Sequence, residues 1–434
     1  MTLSQPIDIG IIGMGDMGKM YARRLAAAGH QVYACDIPSK HSILQQEFSK
    51  DHGITIVQDG HAVSRRSDWI LYSVEAAVIE RVVAQYGPST KVGAIVGGQT
   101  SCKAPEMKAF ERYLPPDVEI VSCHSLHGPG VDPEGQPLVV IQHRATDASR
   151  DQIEAVLSCF KSKMVRLSAA EHDRITADTQ AVTHAAFLSM GVAWRKNDQF
   201  PWEVTRWLGG IENVKVNITL RILSNKWHVY AGLAILNPAA REQIRQYATS
   251  VTELFKLMLE GNQAAFEKRI REAGRAVFGA LQTTHEALLL QDDVLDRFSL
   301  GSTPKEQHMP NSHLSLLAMV DCWHKMGIVP YDHMICSTPL FRLWLGVTEY
   351  LFRQPALLSE TIHAALHDNQ FRSDDLEFTF AARGWSDIVS YEDFDSYEKR
   401  FLDVQDYFRP RFAEATKLGN EMIRTIFEKT QQQG

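Results

Sequence analysis

The segment Gly13-Met14-Gly15-Asp16-Met17-Gly18 constrains this chain more than any other. It has the spacing G-x-G-x-x-G and directly follows a short apolar run, Ile7-Asp8-Ile9-Gly10-Ile11-Ile12, that reads as a strand. Residues 21–28 then read as a helix rich in Ala and Arg, stopped by Gly29 as a C-terminal cap would stop it. Residues 31–35 read as a second strand. A strand, a glycine turn, a helix and a strand in this order form a dinucleotide-binding unit, and each glycine has its own reason to be there. The first allows the tight turn, the second lets a pyrophosphate approach the backbone, and the third lets helix and strand pack closely. Free N–H groups and the positive end of the helix then face the phosphates. A glycine turn that binds nothing is the plainer alternative, and the flanking pattern weighs against it.

The expected cofactor-binding residues are therefore Gly13, Met14, Gly15, Asp16, Met17 and Gly18, with Asp36 and Ser73 at the ends of neighbouring strands. Asp36 closes the second strand, 23 residues beyond Gly13. An acid there commonly accepts hydrogen bonds from the adenosine ribose hydroxyls, which favours NAD. The following Ile37-Pro38-Ser39-Lys40-His41 supplies a hydroxyl and a cation suited instead to a 2′-phosphate. A third reading of Asp36 is a helix cap or turn residue, given Pro38.

Further strand-like runs follow at residues 69–74, 92–96, 118–123, 137–142 and 164–167, separated by helical stretches. Such alternation predicts a parallel sheet covered on both faces. The pattern changes near residue 168. Ser168-Ala169-Ala170-Glu171 has capping-box spacing, and a helix should run from there with no break before Gly191. Long helical patterns at 238–260 and 262–286 dominate the remainder, a polar loop opens at Gly301 and runs to Asn311, and residues 431–434 read as a frayed tail. The expectation is an α/β Rossmann domain over 1–167, followed by an all-α helical domain over 168–434.

The net charge of −7, from 45 basic and 52 acidic residues, weighs against a nucleic-acid binder. None of the six cysteines lies in a C-x-x-C pair, so no metal site is expected, and scattered free thiols suit a reducing compartment. The start lacks the pattern of a signal peptide, and no apolar stretch approaches the ~20 residues of a membrane span. A cytoplasmic protein without a membrane partner is expected.

The chain resembles the prephenate dehydrogenases of tyrosine biosynthesis, most of all the fungal form. The resemblance rests on the glycine segment, on Gln99-Thr100-Ser101-Cys102-Lys103, and on His124-Ser125-Leu126-His127-Gly128-Pro129. It continues through Glu171-His172-Asp173, Gln180-Ala181-Val182-Thr183-His184 and Arg221-Ile222-Leu223-Ser224-Asn225. The resemblance implies an oxidative decarboxylation. Prephenate gives a hydride from ring carbon C4 to the nicotinamide, loses CO2 from C1, and becomes 4-hydroxyphenylpyruvate. It implies His124 as the group that accepts the hydrogen bond of the C4 hydroxyl, with Ser101 assisting. Arg221 would grip a substrate carboxylate, and His184 and Gln180 would line the pocket. Lys226, Arg206 and Arg342 are candidates for the second carboxylate. His172 and Asp173 are read as structural, because 12 residues on a straight helix turn His172 about 120° away from His184. Lys103 is given no role beyond charge near the cofactor.

The fungal resemblance implies NADP, and this outweighs the Asp36 argument for NAD. It also implies a homodimer through the helical domain, where Trp227, Tyr230, Phe341 and Trp344 supply aromatic surface, with the active site in the cleft between domains. Ser125 and His127 depart from the bacterial pattern. Two other readings compete. A 3-hydroxyacid dehydrogenase of the 6-phosphogluconate type would share both halves but needs a helical lysine, and residues 175–190 contain none. A non-catalytic redox sensor would bind the dinucleotide without turnover.

Overall fold

The computed structural model describes residues 6–207, 209–279 and 309–432. The chain divides into two compact units. The first is Met1–Thr176 with Leu236–Pro238, and the second is Ala177–Ile235 with Ala239–Gly434.

The first unit is built on an eight-stranded sheet in the order β3-β2-β1-β4-β5-β6-β7-β8. The strands are β1 (Asp8–Ile12), β2 (Gln31–Cys35), β3 (Ile54–Ile56), β4 (Trp69–Tyr72), β5 (Ile95–Gly98), β6 (Glu119–Ser125), β7 (Pro137–Arg144) and β8 (Lys163–Arg166). The first six pair in parallel in the doubly wound order of dinucleotide-binding sheets. Their near-continuous apolar sequences follow from burial on both faces. In β4, Trp69 and Leu71 enter the core under the helices Asp16–Ala27 and Asp147–Leu157. Ile70 and Tyr72 enter the opposite core, with Val83 and Phe110 of the helices Ile79–Tyr86 and Lys103–Tyr113.

The sheet is not wholly parallel, as the sequence had suggested. β7 runs antiparallel to β6, and β8 is parallel to β7. Residues 126–136, which join β6 to β7, contain no helix to carry a parallel crossover, so the chain folds straight back. β3 is too short, at three residues, to show a period.

The capping box is present. Ser168 N–H donates to Glu171 Oε2 at 2.8 Å, and Glu171 N–H donates to Ser168 Oγ at 3.2 Å. The helix it starts, Ala169–Thr176, belongs to the first unit. Beyond it the regular α-helix expected here gives way to a π-helix over Ala177–Val182, then resumes at Thr183–Lys196. Gly191 does not break this last helix. A Cβ there would lie 3.1 Å from Leu223, so the glycine serves a close helix–helix approach.

The second unit is helical throughout its described residues. Thr183–Lys196 and Gly210–Leu223 are buried on nearly every side and form its centre. The expected helix at 238–260 is Pro238–Glu260, and Asn262 caps the next, Gln263–Phe278, by accepting from Ala265 N–H. The expected continuation of that helix to 286 lies outside the described residues, as does the polar loop from 301 to 308. Phe412–Gln432 carries helix into the tail read as frayed, and residues 433–434 lie outside the described ones. Among the described residues no helix is long and apolar enough to cross a membrane. Phe341 and Trp344, expected at a dimer surface, are fully buried within this unit, and Tyr230 is nearly so.

Candidate active site

The three glycines of the turn meet three different surroundings. Gly13 has φ +104°, and a Cβ on it would lie 2.3 Å from the Ser73 carbonyl oxygen. A Cβ on Gly18 would lie 2.1 Å from the Gly13 carbonyl oxygen, so the helix packs directly on the turn. A Cβ on Gly15 would meet nothing within 4 Å beyond its chain neighbours, which leaves open space where a pyrophosphate would approach. Gly15 is also the N-cap of the helix beginning at Asp16, and no side chain caps it. Met14 and Met17 pack into or against the sheet core. The turn is pinned from both sides, by Gly13 N–H to the Cys35 carbonyl at 2.9 Å and Ser73 N–H to the Ile12 carbonyl at 2.8 Å. Ser73 Oγ donates to Gln99 Oε1 at 3.2 Å, which joins the turn to the Gln99-Thr100-Ser101 segment. These surroundings fit a bound dinucleotide.

Asp36 is tied to the glycine turn it was expected to serve, and to the lysine that follows it. Its Oδ2 accepts from Met14 N–H at 2.9 Å and from Lys40 Nζ at 3.2 Å, and its Oδ1 accepts from Ile37 N–H at 2.7 Å. Asp36 is thus a tie for the glycine turn, with its charge matched by Lys40.

His124 sits near the C-terminal end of β6, where open α/β sheets place ligand groups. Its Nδ1 lies 2.7 Å from His172 Nε2, and His172 Nδ1 lies 2.9 Å from Asp173 Oδ1. Asp173 also accepts from the backbone N–H of Lys103 at 2.7 Å and of Ala104 at 2.8 Å, at the first turn of the helix Lys103–Tyr113. The reading of His172 and Asp173 as merely structural is therefore incomplete: Asp173 anchors a helix start, but His172 contacts the ring proposed to do chemistry. Ser101 is half-buried in the loop just before that anchored helix.

Lys103 is not a cofactor-facing charge. It is fully buried, and its ammonium donates to the Gly98 carbonyl at 3.2 Å, the Cys123 carbonyl at 2.9 Å and Glu106 Oε1 at 3.0 Å. It braces the ends of β5 and β6 from within. Burial, and then the neighbouring His172, Lys103 and His127, hold His124 well below the usual imidazole range. His127 is half-buried, with Nδ1 2.9 Å from the Gly128 carbonyl.

In the second unit, Gln180 lies on the π-helix and His184 lies in the first turn of the α-helix beyond it. His184 is buried, which lowers its pKa to about 3, and among the described residues its Nδ1 has no hydrogen-bond partner. Its ring meets Tyr230 edge-on at 4.7 Å. The Tyr230 hydroxyl accepts from Asn225 Nδ2 at 3.0 Å and feels the charge of Arg221. Tyr230 thus packs on His184, a contact the sequence reading missed because it assigned Tyr230 to a dimer surface. Arg221 Nη1 donates to Asn420 Oδ1 at 2.5 Å. Of the candidate second cations, Arg206 is buried against Asp375 at 2.9 Å and is committed to the core. Arg342 Nε donates to Ser337 Oγ at 2.8 Å, and Lys226 is exposed.

The doubly wound sheet with its glycine turn, joined to a helical unit, defines a dinucleotide-dependent dehydrogenase. A family model described as NADP oxidoreductase, coenzyme F420-dependent, matches residues 8–96, and one described as TYR1-like, 6-phosphogluconate dehydrogenase C-terminal domain, matches residues 181–428. The chain is 56% identical to the prephenate dehydrogenase (NADP+) of Saccharomyces cerevisiae, over 96% of this chain and 93% of the relative. It is 59% identical to a Schizosaccharomyces pombe protein named "Probable prephenate dehydrogenase (NADP+)", over 99% of this chain and 100% of the relative. A solved prephenate dehydrogenase from A. aeolicus, with hydroxyphenyl propionate and NAD+, covers 63% of this chain and 97% of its own at 19% identity and TM-score 0.48. The chain belongs to the prephenate dehydrogenase family.

Proposed function

We propose that this protein catalyses the NADP-dependent oxidative decarboxylation of prephenate to 4-hydroxyphenylpyruvate in tyrosine biosynthesis. The observation that carries the reading is His124, a buried imidazole held neutral at the carboxyl end of β6. When bound, the nicotinamide takes up the hydride that leaves C4 of the substrate. His124 accepts the hydrogen bond, and then the proton, of the C4 hydroxyl, and a neutral imidazole is the form able to do so. CO2 leaves C1 with the ring becoming aromatic, so the chain's task is placement and the handling of one proton. Ser101 contacts the same hydroxyl. Arg221 holds a substrate carboxylate through paired N–H donors, and Gln180 and His184 line the substrate's ring.

Gly13, Met14, Gly15, Asp16, Met17, Gly18 and Ser73 hold the dinucleotide. Lys40 and Ser39 receive the 2′-phosphate of NADP, while Asp36, matched by Lys40, stays on the glycine turn. We place the functional boundary near residue 167, with the helical part carrying substrate contacts and homodimer formation. Support for self-association is the apolar pair Leu376 and Phe380, both exposed and four residues apart on the helix Arg372–Ser390. All six cysteines are unpaired thiols, which supports a cytoplasmic location.

The test is prephenate-dependent reduction of NADP+ by the purified protein. Turnover is expected; a protein that binds NADP+ and shows no turnover with prephenate would be a sensor instead.

A further inference from the structure

We infer that His172 and Asp173 set the protonation pattern of His124 and receive part of the charge it takes up, so that the base of the reaction is a three-residue relay. This rests on the reading of His124 as the base. The direction of each hydrogen bond follows from the acceptor at the far end. The Asp173 carboxylate accepts from two backbone N–H groups and can only accept again, so the hydrogen between it and His172 belongs to His172 Nδ1. His172 is 1% exposed, and burial lowers its pKa, so the ring is neutral and its Nε2 carries a lone pair. That lone pair faces His124 Nδ1 at 2.7 Å, so His124 Nδ1 must hold the hydrogen and His124 Nε2 is left with a free lone pair. An imidazole without such a partner would be free to place its hydrogen on Nε2, the wrong side for a base acting there.

The same chain of bonds provides for the product charge. When His124 Nε2 takes the substrate proton, the His124 Nδ1–H can pass to His172 Nε2. The positive charge then lies one ring nearer the Asp173 carboxylate, and His124 is neutral with the former substrate proton on Nε2. After the product leaves, the Nδ1 hydrogen returns from His172, the Nε2 proton of the resulting His124 imidazolium leaves to water, and nothing else is consumed. The charged and titratable groups around the pair are Lys103, Glu106, Cys102 and His127. The buried Lys103 opposes a standing positive charge on either imidazole, and Glu106, paired with Lys103 at 3.0 Å, moderates it. Asp173 also fixes the start of the helix that follows Ser101, so one carboxylate places both the relay and the serine loop.

The experiment uses full-length protein labelled with 15N-histidine, the His124 signals being assigned by their loss in His124→Asn. In the wild type the 15N shifts should show His124 protonated at Nδ1 and bare at Nε2. His172→Leu removes the acceptor. It should move His124 toward the Nε2–H form and lower kcat about 10–100-fold, by analogy with the loss of the partner that orients a metal-bound imidazole. NADP affinity and KM for prephenate should stay near wild type. His172→Gln, whose amide oxygen can accept from Nδ1–H, should restore the Nδ1–H form and part of kcat. Finding Nε2–H in the wild type, or the same tautomer and kcat in His172→Leu, overturns the relay. Because the resting tautomer is read without substrate, failure of the prephenate reading would show separately, as no turnover of prephenate by the wild type, and failure of His124 as the base would show as unchanged kcat in His124→Asn.

Discussion

Position 36 shows how a residue can keep its place in a motif and change its task. Elsewhere an acid closing the second strand selects NAD by accepting from ribose hydroxyls. Here the carboxylate also holds the turn, through Met14 N–H and Ile37 N–H, and Lys40 faces Oδ2 at 3.2 Å. Lys40→Ala should therefore weaken NADP binding about tenfold or more, the loss expected of one charged contact, and leave NAD binding nearly unchanged; titration with each dinucleotide checks this. Arg221→Ala should raise KM for prephenate by a similar factor with little loss of kcat, measured by steady-state kinetics. The motif residues were legible in the sequence because their chemistry is local. The state of the Asp36 carboxylate was not, since its key partner, Met14 N–H, is 22 residues away. His172 was misjudged for the same reason: its contact with His124 spans 48 residues, and helical periodicity within its own segment says nothing of it.

Among elements, the glycine turn separates folding from binding. Gly18→Ala drives a Cβ into the Gly13 carbonyl and should lower thermal stability as well as cofactor affinity. Gly15→Ala meets nothing in the protein, so it should leave the melting temperature nearly unchanged and still weaken NADP binding. Equal losses of stability in both variants would show that the open space at Gly15 is not kept for a ligand. Strand and helix order was readable from apolar runs and caps, as the Ser168–Glu171 box illustrates. The reversal of β7 and the π-helix at Ala177–Val182 were not, because a short apolar run does not reveal direction and an extra residue per turn leaves no mark in composition.

Over the whole molecule, buried histidines tie stability to pH. His184 is pushed from 6.5 to about 3 by burial. Between those values the unfolded chain binds a proton that the folded chain refuses. Stability from this group is thus complete above about pH 6.5 and is lost as pH falls toward 3. His124 and His172 act in the same direction in the first unit. His184→Gln should flatten the acid side of the stability curve by up to about 1.4 kcal/mol per pH unit, read from urea midpoints across that range. The most direct measurement of the proposed chemistry is a comparison of wild type and His124→Asn under saturating NADP+ and prephenate. The expected result is a fall in kcat of roughly 10²–10⁴-fold with NADP+ affinity unchanged. An unaltered kcat would remove His124 from the reaction.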